Sequence, residues 1–225
     1  MPMGVTFDDA IRVAALGVAG YLLGSIPVAW LIARILLGID LRTVGSGNVG
    51  VMNTAISVHR WAGLVVLLAE VGKGVGAVLL ARQVGGGDIG VGVAALAAFI
   101  GTRWPVWLRF HGGRGNTAGA ASVALISPLA FVLLVVLWLV VRFATHDNFL
   151  ATRTMIVAGP LVFGLVTASV WWGAVGAAYA ALFLTTHRTE TDDHLLLKQY
   201  YPNVAAFLTS KRRPAHTSGR VDRRD

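Results

Sequence analysis

Two short polar segments contain the residues of this chain whose types and spacing suit chemistry on an anion. The first reads Asp40-Leu41-Arg42-Thr43-Val44-Gly45-Ser46-Gly47-Asn48-Val49-Gly50-Val51-Met52-Asn53. Its glycines allow tight turns in which successive backbone N–H groups bind anions, and a helix starting near Asn53 would add the positive end of its dipole. Ser46 and Asn48 add short polar side chains. The segment therefore suits a phosphate, although turn residues joining two membrane helices would look similar.

The second segment reads His111-Gly112-Gly113-Arg114-Gly115-Asn116-Thr117 and places three glycines around one arginine before a helix. Arginine presents a planar fork that can bind phosphate through two hydrogen bonds. Alone, the segment would be interpreted first as a basic topology signal. Two such loops on the same membrane face favour ligand binding more strongly than either loop does separately.

Further charged residues lie near these loops. Glu70 and Lys73 are three residues apart on one helical face within an apolar segment. Charges inside a membrane are costly and are usually paired or functional, so the pair indicates either a polar pocket beneath the loops or a structural salt bridge. His187 and Asp192 follow the last apolar stretch with the His-x4-Asp spacing of solvent-facing acyltransferases, a spacing that also arises easily by chance.

The elements that must position these loops are membrane helices. The 225 residues are 56% hydrophobic and 13% charged, whereas a soluble domain has about 25% charged residues. Apolar runs longer than 18 residues predict membrane spans. The basic residues behind the net charge of +8 lie in the tail and beside the apolar runs, which is typical of topology determinants and anionic-lipid contacts rather than of nucleic-acid binding. The chain has no cysteine, which excludes disulfides and thiolate chemistry.

We predict an all-α polytopic membrane protein with five long apolar spans. They cover about Ile11 to Leu37, Trp61 to Ala81, Ile89 to Leu108, Ala118 to Phe143 and Met155 to Thr186. Pro27 is expected to kink the first span, and neighbouring helices would satisfy the freed carbonyl. The last stretch is longer than one crossing and short for two. It is therefore either one long span or a set of shorter helices broken near Gly159-Pro160 and Gly173.

Domain organisation and orientation follow from the charge pattern. Residues 1–190 are predicted to form one membrane domain, and residues 191–225 a basic, partly disordered tail in which Leu195 to Leu197 and Val204 to Leu208 suit a surface helix. Basic residues are frequent in both loops and in the tail, whereas the turn after the second span has only Arg82 against Asp88. The positive-inside rule then places the loops and the tail in the cytoplasm and the acidic N-terminus outside, which requires an odd number of crossings.

Taken in order, these motifs resemble those of the bacterial acyl-phosphate:glycerol-3-phosphate acyltransferases, the PlsY family. The resemblance covers most of residues 20–190 with the same order and spacing. It rests on Gly24-Ser25-Ile26-Pro27, Gly38-Ile39-Asp40-Leu41-Arg42, Gly45-Ser46-Gly47-Asn48-Val49-Gly50 with Asn53, Glu70-Val71-Gly72-Lys73-Gly74, Trp104-Pro105-Val106, Gly112-Gly113-Arg114-Gly115 and His187-Arg188.

The resemblance implies a fold, a reaction and a set of site residues. The fold is a compact bundle of seven membrane helices, some of them short, in the bacterial inner cell membrane, with the site on the cytoplasmic face. The reaction moves an acyl group from acyl-phosphate to the 1-hydroxyl of glycerol 3-phosphate, giving lysophosphatidate and phosphate, with no acyl-enzyme, metal or other cofactor. The implied catalytic residues are Ser46, His187 and Glu190. The implied substrate-binding residues are Arg42, Gly45, Gly47, Asn48, Gly50, Asn53, Lys73, Gly112, Gly113, Arg114 and Gly115.

Some positions depart from the family pattern. Met52 stands where the family has a threonine, Ile56 where it commonly has an arginine, Arg114 where it has a lysine and Glu190 where it has an asparagine. These changes leave open a non-catalytic or re-specialised relative that binds a phospholipid or another phosphorylated alcohol, with Glu190 as a general base on a different acceptor. A small transporter is a third hypothesis, motivated by the intramembrane charges, but paired broken helices in two matching halves are not evident.

Overall fold

A computed structural model describes residues 6–186, 193, 197, 199–202 and 204–209. The predictions for His187 and Glu190 therefore lie outside the described residues. Within this part of the chain all regular structure is helical, which confirms the all-α prediction. The elements are α1 (Phe7–Ser25), α2 (Val28–Leu37), α3 (Val51–Ser57), α4 (Arg60–Gln83), α5 (Gly87–Arg103), a 3-10 turn (Val106–Leu108), α6 (Asn116–Ile126), α7 (Pro128–Thr145), α8 (Asn148–Thr167), α9 (Val170–Leu184) and a last short helix (Val204–Thr209).

Five of the helical segments are long and apolar enough to cross a membrane, as the sequence predicts. They are Phe7–Leu37, Arg60–Gln83, Gly87–Leu108, Pro128–Thr145 and Asn148–Thr167. Large apolar side chains on the outside of the bundle, such as Phe143 on α7 and Leu161 on α8, are more than 60% exposed, which suits contact with lipid. α6 and α9 are shorter apolar helices.

Pro27 breaks the first span into α1 and α2. The residue before a proline is driven out of the helical region, and Ile26 accordingly has ψ of 112°. The hydroxyl of Thr102 on α5 donates to the carbonyl oxygen of Gly24 at 3.3 Å. The predicted kink is confirmed, and a neighbouring helix satisfies a carbonyl beside it as expected.

Two predicted spans have different bounds in the structure. The prediction of one span from Ala118 to Phe143 is wrong, because the chain breaks at Ser127-Pro128 into α6 and α7. Proline is favoured in the first turn of a helix, and the Ser127 hydroxyl accepts from the Ala130 N–H at 3.4 Å. The last stretch is divided into shorter helices, as one of the two alternatives predicts, but the predicted breaks near Gly159-Pro160 and Gly173 are wrong. Pro160 lies inside α8, and the chain breaks at Ala168, whose φ is +49°.

Small residues let the helices that carry the site approach each other closely, as is common in membrane bundles. At Gly20 and Gly24 of α1 a methyl group would meet the backbone of Ala94 and Ala98 on α5. At Gly74 of α4 it would meet the backbone of Ala118 on α6. The contact at Gly74 matters most for function, because it fixes the start of α6 beside the polar residues of α4.

Candidate functional site

Asn53 holds the first polar loop in its shape. The side chain is fully buried at the start of α3. Its amide nitrogen donates to the carbonyl oxygens of Leu41, Val44 and Asn48 at 3.2, 3.2 and 2.9 Å. Its oxygen accepts from the Ser46 N–H at 3.2 Å and from the Ser57 hydroxyl at 2.9 Å. Because the whole amide is used inside the protein, Asn53 positions the loop rather than presenting a group to a ligand.

The glycines of the first loop allow the turn that brings Ser46 and Asn48 forward. Gly45 and Gly47 have φ of +55° and +73°, a region that residues with a side chain rarely adopt. Gly50 is extended and caps α3 at its N-terminus. The Ser46 hydroxyl also accepts from the Asn48 N–H at 3.3 Å. Both side chains therefore lie at the same side of the loop, with their orientation set by its backbone.

Arg42 is tied to its own loop. Its guanidinium forms an ion pair with Asp40 at 2.6 Å and donates to the Leu108 carbonyl oxygen at 3.3 Å. The hydrogen bond from the Arg42 side chain lowers the pKa of Asp40 from 3.8 to about 2, against the opposing effect of burial. Arg42 was predicted to bind substrate. The structure instead gives it partners that fasten the first loop to the turn that follows α5.

The second polar loop packs directly on the first. A methyl group at Gly113 would lie 3.3 Å from the carbonyl carbon of Val49 and closer still to its oxygen, so only glycine permits this backbone approach. The N–H groups of Gly112 and Gly113 donate to the carbonyl oxygens of Arg103 and Thr102, both at 3.2 Å. Gly112 and Gly113 were predicted to bind substrate, and in the structure their N–H groups anchor the loop to the end of α5.

The start of α6 places backbone N–H donors next to Arg114. Gly115, with φ of +76°, is the N-cap of α6 and gives no side-chain cap. The first bond of the helical ladder runs from the Gly119 N–H to the Gly115 carbonyl oxygen at 2.9 Å. The N–H groups of the first turn precede that bond, and such groups at a helix N-terminus are a favourable position for an anion.

The two loops and α6 enclose a cavity of about 180 Å³. Its volume suits a small polar molecule rather than a long chain. The wall is formed by Asn48, Val49, Gly50, Val51, Met52, Glu70, Thr102, Arg114, Gly115, Asn116, Thr117 and Asp193. Residues of both predicted motifs thus converge on one cavity, as the anion-binding interpretation requires.

Glu70 and Lys73 form a buried ion pair beneath the cavity. The Lys73 Nζ to Glu70 Oε1 distance is 2.6 Å, and each residue is 5% exposed. The other carboxylate oxygen of Glu70, Oε2, has no hydrogen-bond partner within the described part of the chain. Glu70 lines the cavity but Lys73 does not. The sequence left open a polar pocket or a structural salt bridge. Both descriptions apply, because the salt bridge lies beneath the cavity and Glu70 lines it.

Asp193 is the site residue that the sequence did not predict. Its Oδ1 accepts from the Ser46 hydroxyl at 2.5 Å, and its Oδ2 accepts from Asn48 Nδ2 at 2.8 Å. Arg114 Nη1 lies 3.3 Å from the same Oδ2. The carboxylate thus joins both loops. Asp193 belongs to no general motif. The feature of the sequence that could have indicated it is an acidic side chain shortly after His187.

The predicted site residues divide into three groups. Ser46, Asn48 and Arg114 meet at the Asp193 carboxylate, and Asn48, Gly50, Arg114 and Gly115 line the cavity. The second group supports the site from behind: Arg42, Gly45, Gly47, Asn53, Gly112 and Gly113 shape or anchor the loops, and Lys73 pairs with Glu70 beneath the cavity. His187 and Glu190 lie outside the described residues. Among the described residues no group of three or more His, Asp or Glu side chains could hold a metal ion.

Comparison with known proteins gives one consistent family. The sequence model of the glycerol-3-phosphate acyltransferase family matches residues 14–196. A glycerol-3-phosphate acyltransferase of Rubrobacter xylanophilus is 40% identical over 144 residues, which are 64% of this chain and 72% of that protein. One from Anaeromyxobacter dehalogenans (strain 2CP-1) is 36% identical over 183 residues, which are 78% of this chain and 90% of that protein.

A solved structure agrees with these relatives. The fold is similar to the crystal structure of PlsY (YgiH), an integral membrane glycerol 3-phosphate acyltransferase, in its glycerol 3-phosphate form. The TM-score is 0.68 at 28% sequence identity, and the alignment covers 83% of this chain and 93% of the other. The chain therefore belongs to the glycerol-3-phosphate acyltransferase family.

Proposed function

We propose that this protein is a membrane acyltransferase that moves an acyl group from an acyl phosphate to glycerol 3-phosphate, a step of phospholipid synthesis. The observation that carries the proposal is the convergence of Ser46, Asn48, Arg114 and the first turn of α6 on one small cavity. Both substrates contain a phosphate, so two loops with anion donors have an evident use. The acceptor is the one that the names of the relatives state.

The proposed reaction requires the protein mainly to position its two substrates. In the proposed step the acceptor hydroxyl oxygen bonds to the acyl carbon, the bond from that carbon to the phosphate oxygen breaks, and the hydroxyl proton leaves to a base. The donor is already activated, so orientation and stabilisation of the developing charge can supply most of the acceleration. Arg114 and the N–H groups at the start of α6 would hold phosphate, while Ser46 and Asn48 would hold polar groups of the substrates. His187 and Glu190 remain candidates for the base, as the resemblance implies.

The remaining predicted residues would act by holding this arrangement. Asn53, Gly45, Gly47 and Gly50 fix the first loop, Gly113 packs the second loop against it, and Gly112 anchors the second loop to the end of α5. Arg42 fastens the first loop to the chain after α5. Lys73 neutralises Glu70 beneath the cavity, which limits the negative charge that a phosphate would otherwise meet.

An apolar cavity offers a place for the acyl chain. It has a volume of about 90 Å³ and lies between α6, α7, α8 and α9, with Phe131, Met155 and Phe183 in its wall. Phe183 also packs beside Gly119, in the first turns of α6. An acyl chain whose activated end sat at the start of α6 could therefore extend between these helices, open to lipid.

Three contacts support seven crossings. Arg82, at the far end of α4, donates to the Leu125 carbonyl oxygen at the end of α6 at 3.1 Å. Trp171, at the start of α9, donates to the Asp88 carbonyl oxygen at 3.1 Å, and Thr186, after its end, donates to Asn116 Oδ1 at 3.2 Å. Both shorter helices thus run between the loop face and the opposite face. With the five long spans they would give seven crossings.

The same count suits the proposed orientation in the bacterial cell membrane. An odd number of crossings places the N-terminus outside and the tail (191–225) in the cytoplasm, where the positive-inside rule also puts the two loops. The site would then open to cytoplasmic glycerol 3-phosphate. Cysteine-accessibility labelling of single cysteines at Thr43 and Gly85 tests this, because only the Thr43 position should be protected from an impermeant reagent in intact cells.

Purified protein in liposomes, supplied with acyl phosphate and glycerol 3-phosphate, tests the activity. We expect lysophosphatidate and inorganic phosphate in equal amounts, with little of either from the Ser46→Ala variant. The Asp88→Asn variant, changed at an exposed position on the opposite face, should retain wild-type activity. Saturable binding of glycerol 3-phosphate without turnover would instead favour the non-catalytic relative, and substrate flux into the liposomes would favour the transporter.

A further inference from the structure

The Asp193 carboxylate already satisfies the donors that the proposed function assigns to substrate. It accepts from Ser46 and Asn48 of the first loop and pairs with Arg114 of the second. Asp193 is only 8% exposed, although it follows the last membrane helix. The Asp193 carboxylate is therefore an anion that the two polar loops bind, and it belongs to the chain itself.

A substrate phosphate cannot use the Ser46 hydroxyl while Asp193 holds it. That hydroxyl has one proton to donate, and the proton is directed at Asp193 Oδ1 at 2.5 Å. At Asn48 and Arg114, which have further N–H groups, the competition is electrostatic, because a phosphate placed beside the carboxylate experiences like-charge repulsion. Full use of the three donors by substrate therefore requires the carboxylate to move away from them.

Apolar contacts further along the chain keep Asp193 in reach of the site. Leu197, Tyr201 and Phe207 form a buried cluster with Ile56 on α3, and Met52 packs against it. The Arg60 guanidinium donates to the Phe207 carbonyl oxygen at 3.0 Å. Ile56 and Met52 are positions that depart from the family pattern. Here their side chains form the apolar surface that Leu197, Tyr201 and Phe207 contact. This packing gives the two departures a structural explanation.

We propose that Asp193 is a specificity-determining residue that competes with substrate phosphate for Ser46, Asn48 and Arg114. The inference rests on the proposed function, because it assumes that these donors bind phosphate. A phosphate ester carries up to two negative charges and three acceptor oxygens, and it can also reach the N–H groups in the first turn of α6, which begins at Asn116 without a side-chain cap. A singly charged anion with two oxygens gains little over Asp193. The competition therefore favours phosphate esters and excludes weaker anions.

The test compares Asp193→Asn with wild type in detergent or nanodiscs. The variant keeps the size of the side chain and an oxygen that can accept from Ser46, but it removes the competing charge. Calorimetric titration with glycerol 3-phosphate, and separately with inorganic phosphate, should show binding about tenfold tighter in the variant, which is about 1.4 kcal/mol. Asp193→Ala should shift affinity in the same direction. Asp88→Asn makes the same chemical change at an exposed position and should bind like wild type.

The outcomes separate this inference from the proposed function. Unchanged or weaker binding by Asp193→Asn, with wild type still binding, would overturn the competition and show that the carboxylate helps to hold substrate. Failure of wild type and both Asp193 variants to bind either phosphate ligand would instead refute the phosphate site itself. Thermal unfolding of each variant verifies that a change in affinity does not reflect a loss of folded protein.

Discussion

Replacement of Gly74 by alanine should displace the start of α6 and disable the site while the protein remains folded. A methyl group at Gly74 would lie 3.0 Å from the carbonyl carbon of Ala118 and 3.1 Å from the Ser122 nitrogen, and closer still to the Ala118 oxygen. Carbon contacts are comfortable at about 3.5 Å or more. These neighbours are backbone atoms that cannot rotate away, so α6 must move by about 1 Å. A displacement of that size costs about 100-fold in rate when it affects positioned groups.

Gly72 provides a matched control on the same helix. A methyl group there meets nothing within 4 Å, so Gly72→Ala should be fully active. It should also be slightly more stable, by up to about 1 kcal/mol, because alanine favours the helix. The measurement is the rate of lysophosphatidate formation in liposomes, with thermal unfolding in detergent as a check on folding. Equal rates for Gly74→Ala and Gly72→Ala would refute the argument that the contact of α4 with α6 positions Arg114 and the cavity wall.

Three further predictions concern the loops. Asn53→Asp would place carboxylate oxygens against the carbonyl oxygens of Leu41, Val44 and Asn48, and we expect about 3 kcal/mol lower stability and no measurable activity in the same two assays. Arg114→Gln should raise the KM for glycerol 3-phosphate by about tenfold or more, whereas Arg114→Lys, which keeps the charge but not the fork, should retain more activity. The Asp40 pKa of about 2 lies below the unfolded value of 3.8, so its stabilisation is present above about pH 4 and lost as the pH falls through 2. Asp40→Asn should therefore unfold more easily than wild type by about 1 kcal/mol at pH 7, and thermal unfolding at pH 2 should show a smaller difference.

The loops were the most predictable part of the site, because their residue types carry a local conformational meaning. Glycines at positions 45 and 47 adopt positive φ, and the arginine beside a helix start indicates an anion position. The spacing of the motifs does not show which polar groups form hydrogen bonds within the protein and are therefore not offered to a ligand. Asn53 and the N–H groups of Gly112 and Gly113 suit a ligand in isolation, yet each is satisfied by carbonyl groups that become neighbours only in the folded bundle.

Hydropathy located the apolar stretches, whereas the helix ends within them depended on local signals that hydropathy averages away. The Ser127-Pro128 pair interrupts a stretch that is apolar on both sides, so a search for long runs joins α6 to α7. Pro160 is the opposite case, a proline that does not end its helix. It lies within α8, as prolines in membrane helices can, and Gly176 of α9 packs against it, with a methyl position at 3.0 Å from the Pro160 Cα. Asp193 was missed for a related reason, since Leu197, Tyr201 and Phe207, which follow it, pack on Ile56 of α3, and only the fold brings them together.

The shortness of α6 has a consequence for the depth of the reaction. Its 11 residues extend about 16 Å, which is roughly half of the 30 Å hydrocarbon thickness of a bilayer. One end of this helix lines the cavity and the other meets Arg82 on the far side. Every residue of α6 after Asn116 is at least partly buried, so the longer helices around it, such as the 24-residue α4, set the thickness that the bilayer has to match. The cavity would then lie sunk below the surrounding headgroups, where a water-soluble alcohol and a lipid-dissolved acyl chain can meet without either one changing phase.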